Sequence, residues 1–252
     1  VYLKEYNMPK FFTARENITD SQIIIDNEDA NHIRKVLRLN TGDEITVCDG
    51  RGIDYTAVIS EIGKNSIVCD IKDSKKCDTE PGVEITLYQG LPKADKMELI
   101  IQKAVELGVY EIIPVATKRA VVKLDEKKSK SKIARWQAIS EAAAKQSKRA
   151  IIPTVADVLS FKEALKDCQK AEIKVIPYEL AEGMDKTKEI ISGLKPGQDV
   201  AIFIGPEGGF EDGEIEAAMA TGVVPVTLGK RILRTETAGF TILSWIMYQL
   251  ES

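Results

Sequence analysis

DVAIFIGPEGGFEDGEIEAAMAT, Asp199 to Thr221, is the stretch whose reading decides the fold. Val200 to Ile204 are continuously apolar, the pattern of a strand buried on both faces. Gly205, Gly208 and Gly209 then let the backbone turn sharply and approach a ligand closely. From Asp212 to Thr221 the residues favour a helix. A buried strand, a glycine turn and a helix make one unit of a mostly parallel α/β sheet.

The same grammar repeats on both sides from Pro81 onward. EITLYQGL reads as a strand, followed by a helix from Asp95 to Leu107 that Gly108 stops. Strand YEIIPVAT, a basic stretch and a helix over Lys132–Lys148 come next. A helix over Ser160–Asp167, strand AEIKVIPYE and a helix over Asp185–Ser192 precede the opening stretch. Strand VVPVTLG and a final helix over Glu236–Leu250 complete the series. Before Pro81 the pattern differs: SQIIID, DEITVCD, IDYTAVIS and NSIVCDI are short strands punctuated by TGD, DGRG and IGKN. One helix, Glu28 to Leu39, interrupts them with Ile33, Val36 and Leu37 on one face. Residues 1–74 therefore form a small β-rich domain, a barrel by this reading, and residues 75–252 an α/β domain. DSKKCDTEPG, Asp73 to Gly82, is the expected linker.

The 252 residues suffice for a sizeable core without a disulfide or metal staple. No apolar run reaches transmembrane length. Val1 to Phe12 lack the apolar centre of a signal peptide, and Met8 is a candidate start with Val1–Asn7 an extension. The four cysteines form no CxxC pair and there is one histidine, so no metal site is expected and the thiols read as those of a cytoplasmic protein. The net charge of −4 argues against a uniformly basic nucleic-acid binder. Lys118 to Arg149, however, holds eleven Lys or Arg against three acidic residues. A basic segment on an acidic body suits local phosphate attraction, and equally a solvated lysine-rich loop.

In a parallel sheet, ligands sit outside the carboxyl ends of the strands. IGPEGGF is neither GxGxxG nor a GK[ST] phosphate loop, so dinucleotide and nucleotide-triphosphate machinery are excluded. A glycine loop holding Pro206 and Glu207 suits another ligand. In LGKRILRTETAGF, Leu228 to Phe240, Thr235 is placed to cap the final helix and Glu236 falls in its first turn. Arg231 and Arg234 have no such explanation. Cations at a helix N-terminus face an unfavourable dipole and should have an anionic or carbonyl-rich partner.

IGPEGGF followed by LGKRILRTETA resembles the SPOUT class of methyltransferases, and within it the small-subunit ribosomal RNA methyltransferase E family. HIRKVLRL, KADKMELIIQKAVELGVYEIIP and RWQAISEAAAKQSKR add to the resemblance, which covers nearly everything from Met8 onward. It implies a PUA-like RNA-binding N-terminal domain and a C-terminal sheet threaded into a trefoil knot. It implies S-adenosyl-L-methionine as cofactor, 16S rRNA of the small ribosomal subunit as substrate, methylation of a uridine at N3, and a homodimer with the last helix near its interface. Lys10 stands where the family pattern has arginine, and Ala120 where serine is usual.

On that resemblance the cofactor pocket comprises Pro177, Tyr178, Glu179, Ile204, Gly205, Pro206, Glu207, Gly208, Gly209, Leu228, Gly229, Ile232, Leu233 and Thr235. Uridine N3 must lose a proton before it attacks, and its charge then spreads to O2 and O4. Arg234 is the expected stabiliser of that anion, and cannot be the base because it keeps its proton. Glu236 is the expected proton acceptor, with Glu207 as rival and water as a third alternative. Lys10, Arg34, Arg38, Arg119 and Arg149 are the expected RNA contacts. Two alternatives share these features: a SPOUT enzyme modifying another RNA position, such as a ribose 2′-oxygen, and a non-catalytic RNA-binding ribosome assembly factor.

Overall fold

The computed structural model describes residues 8–121, 126–181 and 183–251, so Val1–Asn7 and part of the basic segment lie outside the described residues. The chain divides into two units. One runs to Glu80 and includes Lys145–Ile152; the other holds Pro81–Ala144 and everything from Pro153 onward.

The first unit contains strands β1 (Lys10–Phe12), β2 (Gln22–Asp26), β3 (Glu44–Cys48), β4 (Ile53–Ile62) and β5 (Ser66–Lys76). They form a five-stranded sheet in the order β1-β3-β4-β5-β2. β1 joins β3 in parallel, and the other pairings are antiparallel. Alternation works as the sequence implies: Ile23 and Ile25 of β2 are buried, as are Ile45 and Val47 of β3. β5 runs on to Lys76, through the expected boundary at 74/75 and into the stretch read as linker. Its last residues are exposed, so their polarity says nothing about pairing; main-chain bonds to the start of β4 hold them.

The helix expected over Glu28–Leu39 is an α-helical turn, α1 (Asn27–Asn31), continued by a wider π-helical turn over His32–Leu37. Arg38 closes it with φ 54°. The i→i+5 spacing breaks the 3.6-residue register on which the apolar face was drawn. Ile33 is fully buried, whereas Val36 is 65% exposed.

The second unit carries β6 (Glu84–Gly90), α2 (Lys96–Glu106), β7 (Glu111–Ala116) and α3 (Glu126–Gln146), whose last two residues are assigned to the first unit. β8 (Thr154–Val155), β9 (Leu159–Ser160), α4 (Phe161–Asp167), β10 (Ile173–Pro177) and α5 (Asp185–Ser192) follow. β11 (Asp199–Ile204), α6 (Asp212–Ala220), β12 (Val224–Val226) and α7 (Thr235–Glu251) end the chain. Its seven-stranded sheet has the order β12-β10-β11-β6-β7-β8, with β9 on β7, and every pairing is parallel. Ile85 to Gly90 and Val200 to Ile204 are buried without alternation, as strands covered on both faces require. Tyr88 and Phe203 stack in this core with ring centroids 4.5 Å apart. No helix among the described residues is long and apolar enough to cross a membrane.

Candidate functional site

β12, β10 and β11 are neighbours in the sheet, so their carboxyl ends deliver three loops to one place. Pro177–Glu179 follow β10, Ile204–Phe210 end β11, and Thr227–Thr235 join β12 to α7. Together with Lys96 and Ala238, residues of these loops line a cavity of about 510 Å³. Its size is that of a small-molecule site. The loops are tied to one another: the Tyr178 N–H donates to the Val226 carbonyl at 2.9 Å, and the Tyr178 hydroxyl to Asp212 Oδ1 at 3.3 Å. Burial, then the nearby Asp212 carboxylate, pushes the Tyr178 phenol above its ordinary range.

The glycine loop depends on close backbone approach. Gly209 has φ +66°. A Cβ on Gly90, at the end of β6, would stand 2.6 Å from Pro206 Cδ and 2.7 Å from Pro206 N. The end of β6 is therefore packed directly against the start of the glycine loop.

Thr235 does not act through the hydroxyl as an N-cap. It is the first residue of α7, and its buried hydroxyl donates to the Gly205 carbonyl at 2.6 Å while accepting from Gln89 Nε2 at 2.9 Å. The tertiary partner prevails because Gln89 is fully buried at the end of β6 and needs it, while the half-buried Gly205 carbonyl lies within reach.

Of the expected cofactor residues, thirteen line the cavity and Gly208 does not. The Gly208 carbonyl instead accepts from Arg119 Nη1 at 3.0 Å, which fixes an otherwise exposed arginine against the glycine loop. Ile232, 88% exposed, stands at the rim. Lys96, Phe210, Thr227 and Ala238 also line the cavity and were missed. Lys96 was within the quoted KADKMELIIQ stretch, but nothing in its spacing linked it to the distant glycine loop.

Lys96 organises the carboxylates. Its ammonium is 3.0 Å from Glu207 Oε1 and 3.6 Å from Glu236 Oε2. Glu207 also accepts from the Lys93 N–H, at 3.2 and 3.3 Å. Between these two lysines Ala94 has φ 52°, a left-handed conformation that a non-glycine residue adopts at a cost. Burial opposes the charge on Glu207, but its own N–H, Lys96 and the Lys93 N–H outweigh it and hold the carboxyl below the usual range. Glu236 Oε2 is buried and has no hydrogen-bond partner, and Glu236 is not among the lining residues.

Lys230, Arg231 and Arg234 line the cavity, are exposed, and form no side-chain hydrogen bond or ion pair with described residues. Three unpaired cations at the start of α7 leave room for an anionic or carbonyl-rich partner.

In the first unit the expected RNA contacts separate. Arg34 is half-buried and donates to Asn31 Oδ1 at 3.0 Å, while Arg38 is exposed. Lys10 is turned inward: its ammonium lies 2.8 Å from Asp54 Oδ1, donates to the Lys148 carbonyl at 3.1 Å, and its side chain is 8% exposed. Arg149 is 3% exposed and its guanidinium holds Glu80, which also accepts from the Ala150 and Ile151 N–H groups. Both cations serve internal carboxylates that burial would otherwise leave uncompensated, so neither is presented to an external phosphate. Among the described residues no cluster of side chains could hold a metal ion.

Comparison with known proteins finds similarity to RNA methyltransferases. A family model described as an RNA methyltransferase domain matches residues 79–247, and one described as an RNA methyltransferase PUA domain matches residues 25–72. The chain is 39% identical over 230 residues to the ribosomal RNA small subunit methyltransferase E of Bacillus subtilis, covering 90% of each chain. It is 34% identical to that of Mesomycoplasma hyopneumoniae, covering 94% of this chain and 98% of the other. The crystal structure of the Neisseria gonorrhoeae protein of that name, bound to S-adenosyl methionine, superposes with a TM-score of 0.83 at 30% identity. It covers 96% of this chain and 98% of the other.

Proposed function

The chain belongs to the ribosomal RNA small subunit methyltransferase E family, and from that membership we propose that it uses S-adenosyl-L-methionine to methylate N3 of a uridine in 16S rRNA, in the cytoplasm. The observation that carries this reading is a cavity of about 510 Å³ at the ends of three adjacent parallel strands, with the unpaired Arg234 on its wall.

The lining fits the cofactor. Gly205 and Gly209 keep the floor free of side chains, and a Cβ on Gly205 would meet the Gly209 main chain at 3.1 Å. Leu228 and Leu233 offer apolar surface, and Glu179 and Glu207 offer negative charge to a cationic ligand. When bound, S-adenosylmethionine supplies an electrophilic methyl group carried on sulfur. The loops that hold it follow β10, β11 and β12, and the chain passing among them is taken to form the trefoil knot of the SPOUT class.

The protein's own residues have three tasks. Uridine N3 lies on the pairing edge, so the base must be extruded before it can react. Its N3–H proton leaves, the N3 electron pair forms the new N–C bond as the methyl's bond to sulfur would break to leave a neutral thioether, and the negative charge shared by O2 and O4 in between faces the Arg234 guanidinium. Glu236 is the favoured proton acceptor over Glu207. Both oxygens of Glu207 are engaged by Lys93 and Lys96, whereas Glu236 Oε2 has the Lys96 ammonium at 3.6 Å and accepts no hydrogen bond. Holding both reactants in line contributes up to ~7–11 kcal/mol, so a modest base suffices.

A second copy of the chain is the proposed partner. Tyr248 of α7 is 77% exposed beside a shallow concavity formed with Met184, Ile191 and Trp245, which supports an apolar association of this helix. The deciding experiment is methylation of small ribosomal subunits that lack the modification, with identification of the product nucleoside by mass spectrometry. 3-Methyluridine is the expected product; a 2′-O-methylated nucleoside, or none at all, overturns the assignment.

A further inference from the structure

The first unit carries a second concavity, of about 340 Å³, formed by Arg51, Gly52, Ile53, Ser74, Lys75 and Lys76. It lies where the start of β4 meets the end of β5, with Ile53 opposite Lys76 and Asp54 opposite Lys75. Arg51, Lys75 and Lys76 are exposed, and none makes a side-chain hydrogen bond or ion pair with described residues. No carboxylate lines the concavity. Among the nearby acids, Asp73 Oδ1 accepts from the Ser74 N–H at 2.8 Å and Asp78 is exposed, while three others are engaged elsewhere. Asp49 Oδ1 accepts from the Arg51 and Ile53 N–H groups at 2.8 and 3.1 Å, Asp54 holds Lys10, and Glu80 holds Arg149.

The scaffold under the three cations is fixed by main-chain bonds. The Gly52 N–H donates to the Ala150 carbonyl at 3.3 Å, the Cys77 N–H donates to the Gly52 carbonyl at 2.9 Å, and Arg51 bridges Ile151. Three uncompensated positive charges held close together repel one another, and a polyanion relieves that repulsion. The concavity has no aromatic platform for a base and no glycine cradle or helix N-terminus for a nucleotide phosphate. Its chemistry suits a backbone that is charged at every residue and read without regard to sequence.

We infer that Arg51, Lys75 and Lys76 form a phosphodiester-binding subsite for the RNA substrate, separate from Arg34 and Arg38. The inference rests on the rRNA-methyltransferase reading and adds a place where the substrate is gripped. It also puts cationic contacts in a stretch that the sequence presents as a turn and a linker.

The test measures binding and methylation of an rRNA fragment across a salt series, for the unaltered protein and for Arg51→Ala/Lys75→Ala/Lys76→Ala. Each lost phosphate contact removes roughly 0.7–0.9 from the slope of log K against log salt. The triple variant is expected to lose about 2 in slope and to raise KM for RNA at least about tenfold near physiological salt, with kcat and cofactor affinity unchanged. Lys75→Gln/Lys76→Gln, which leaves the Arg51 turn intact, should show an intermediate slope. If the unaltered protein methylates the fragment and the triple variant matches its slope and KM, the subsite is overturned while the function stands. If the unaltered protein neither binds nor methylates rRNA, the function falls and the subsite with it.

Discussion

Thr235 and Gly205, thirty residues apart in sequence, are joined by a 2.6 Å hydrogen bond from the Thr235 hydroxyl to the Gly205 carbonyl. The bond ties the first turn of α7 to the glycine loop after β11, and Gln89 Nε2 completes it from the end of β6. Thr235→Val keeps the shape and removes the hydroxyl, leaving the fully buried Gln89 amide without its acceptor and the half-buried Gly205 carbonyl short of its donor. Such a loss costs about 1–3 kcal/mol, and each kcal/mol lowers the melting midpoint of a domain this size by roughly 2–4 °C. Calorimetry should show weaker S-adenosylmethionine binding in Thr235→Val and near-normal binding in Thr235→Ser. Equal affinity in both variants would mean that the tie does not shape the cavity.

The Lys96–Glu207 pair links α2 to the same loop, and its contribution should depend on pH. The folded-state pKa of Glu207 is lowered, so its ionised form stabilises the fold above the unfolded value of about 4.3, and that contribution is lost as pH falls through the folded value. Denaturant unfolding should show Glu207→Gln less stable than the unaltered protein at neutral pH. The gap should close at strongly acidic pH and shrink with salt, since the pair is partly exposed. A gap of constant size from neutral to acidic pH contradicts this assignment.

Much of the architecture was legible because periodicity survives in this chain. Val200 to Ile204 read as a two-faced strand and are one, and the helix read over Ser160–Asp167 is α4, which the structure shows begins with a Ser160–Glu163 capping box. The failures have physical causes. β1 is three residues long and is held by main-chain pairing to β3, which no side-chain pattern reports. The π-helical turn at His32–Leu37 obeys a different period. The cavity lining was readable where it lay on contiguous loops, but Lys96 reaches Glu207 across more than a hundred residues. Lys10 and Arg149 looked like surface cations because sequence carries no sign of the inward-facing Asp54 and Glu80.

The Arg149–Glu80 pair should reveal itself in stability rather than in RNA affinity. Arg149→Ala leaves the Glu80 carboxylate with only the Ala150 and Ile151 N–H groups, and breaking a buried pair by deleting one partner costs about 3–5 kcal/mol. Chemical denaturation should register that loss. RNA binding measured well below the melting transition should change less than twofold. A variant of normal stability with sharply weakened RNA binding would return Arg149 to the interface.

Arg234 and Glu236 stand two residues apart at the start of α7, and their separate tasks can be resolved by pH. Arginine does not titrate in the working range, so Arg234→Lys alters how strongly the pyrimidine anion is stabilised without adding an ionisation near neutrality. The planar fork spans neighbouring acceptors, and an ammonium does not. Removal of one such donor to a developing anion typically costs about 10²–10³ in kcat. Arg234→Lys should therefore show a fall of that order with an unchanged pH profile and unchanged cofactor affinity, because it makes no contact that holds the cavity together. Glu236→Gln removes the acceptor, so its rate should fall too, and should recover in part as rising pH ionises the base without help. Single-turnover rates of both variants across a pH series check the division of labour. A kcat within tenfold of normal for Arg234→Lys, or parallel pH profiles for Glu236→Gln and the unaltered protein, would remove that residue from the reaction.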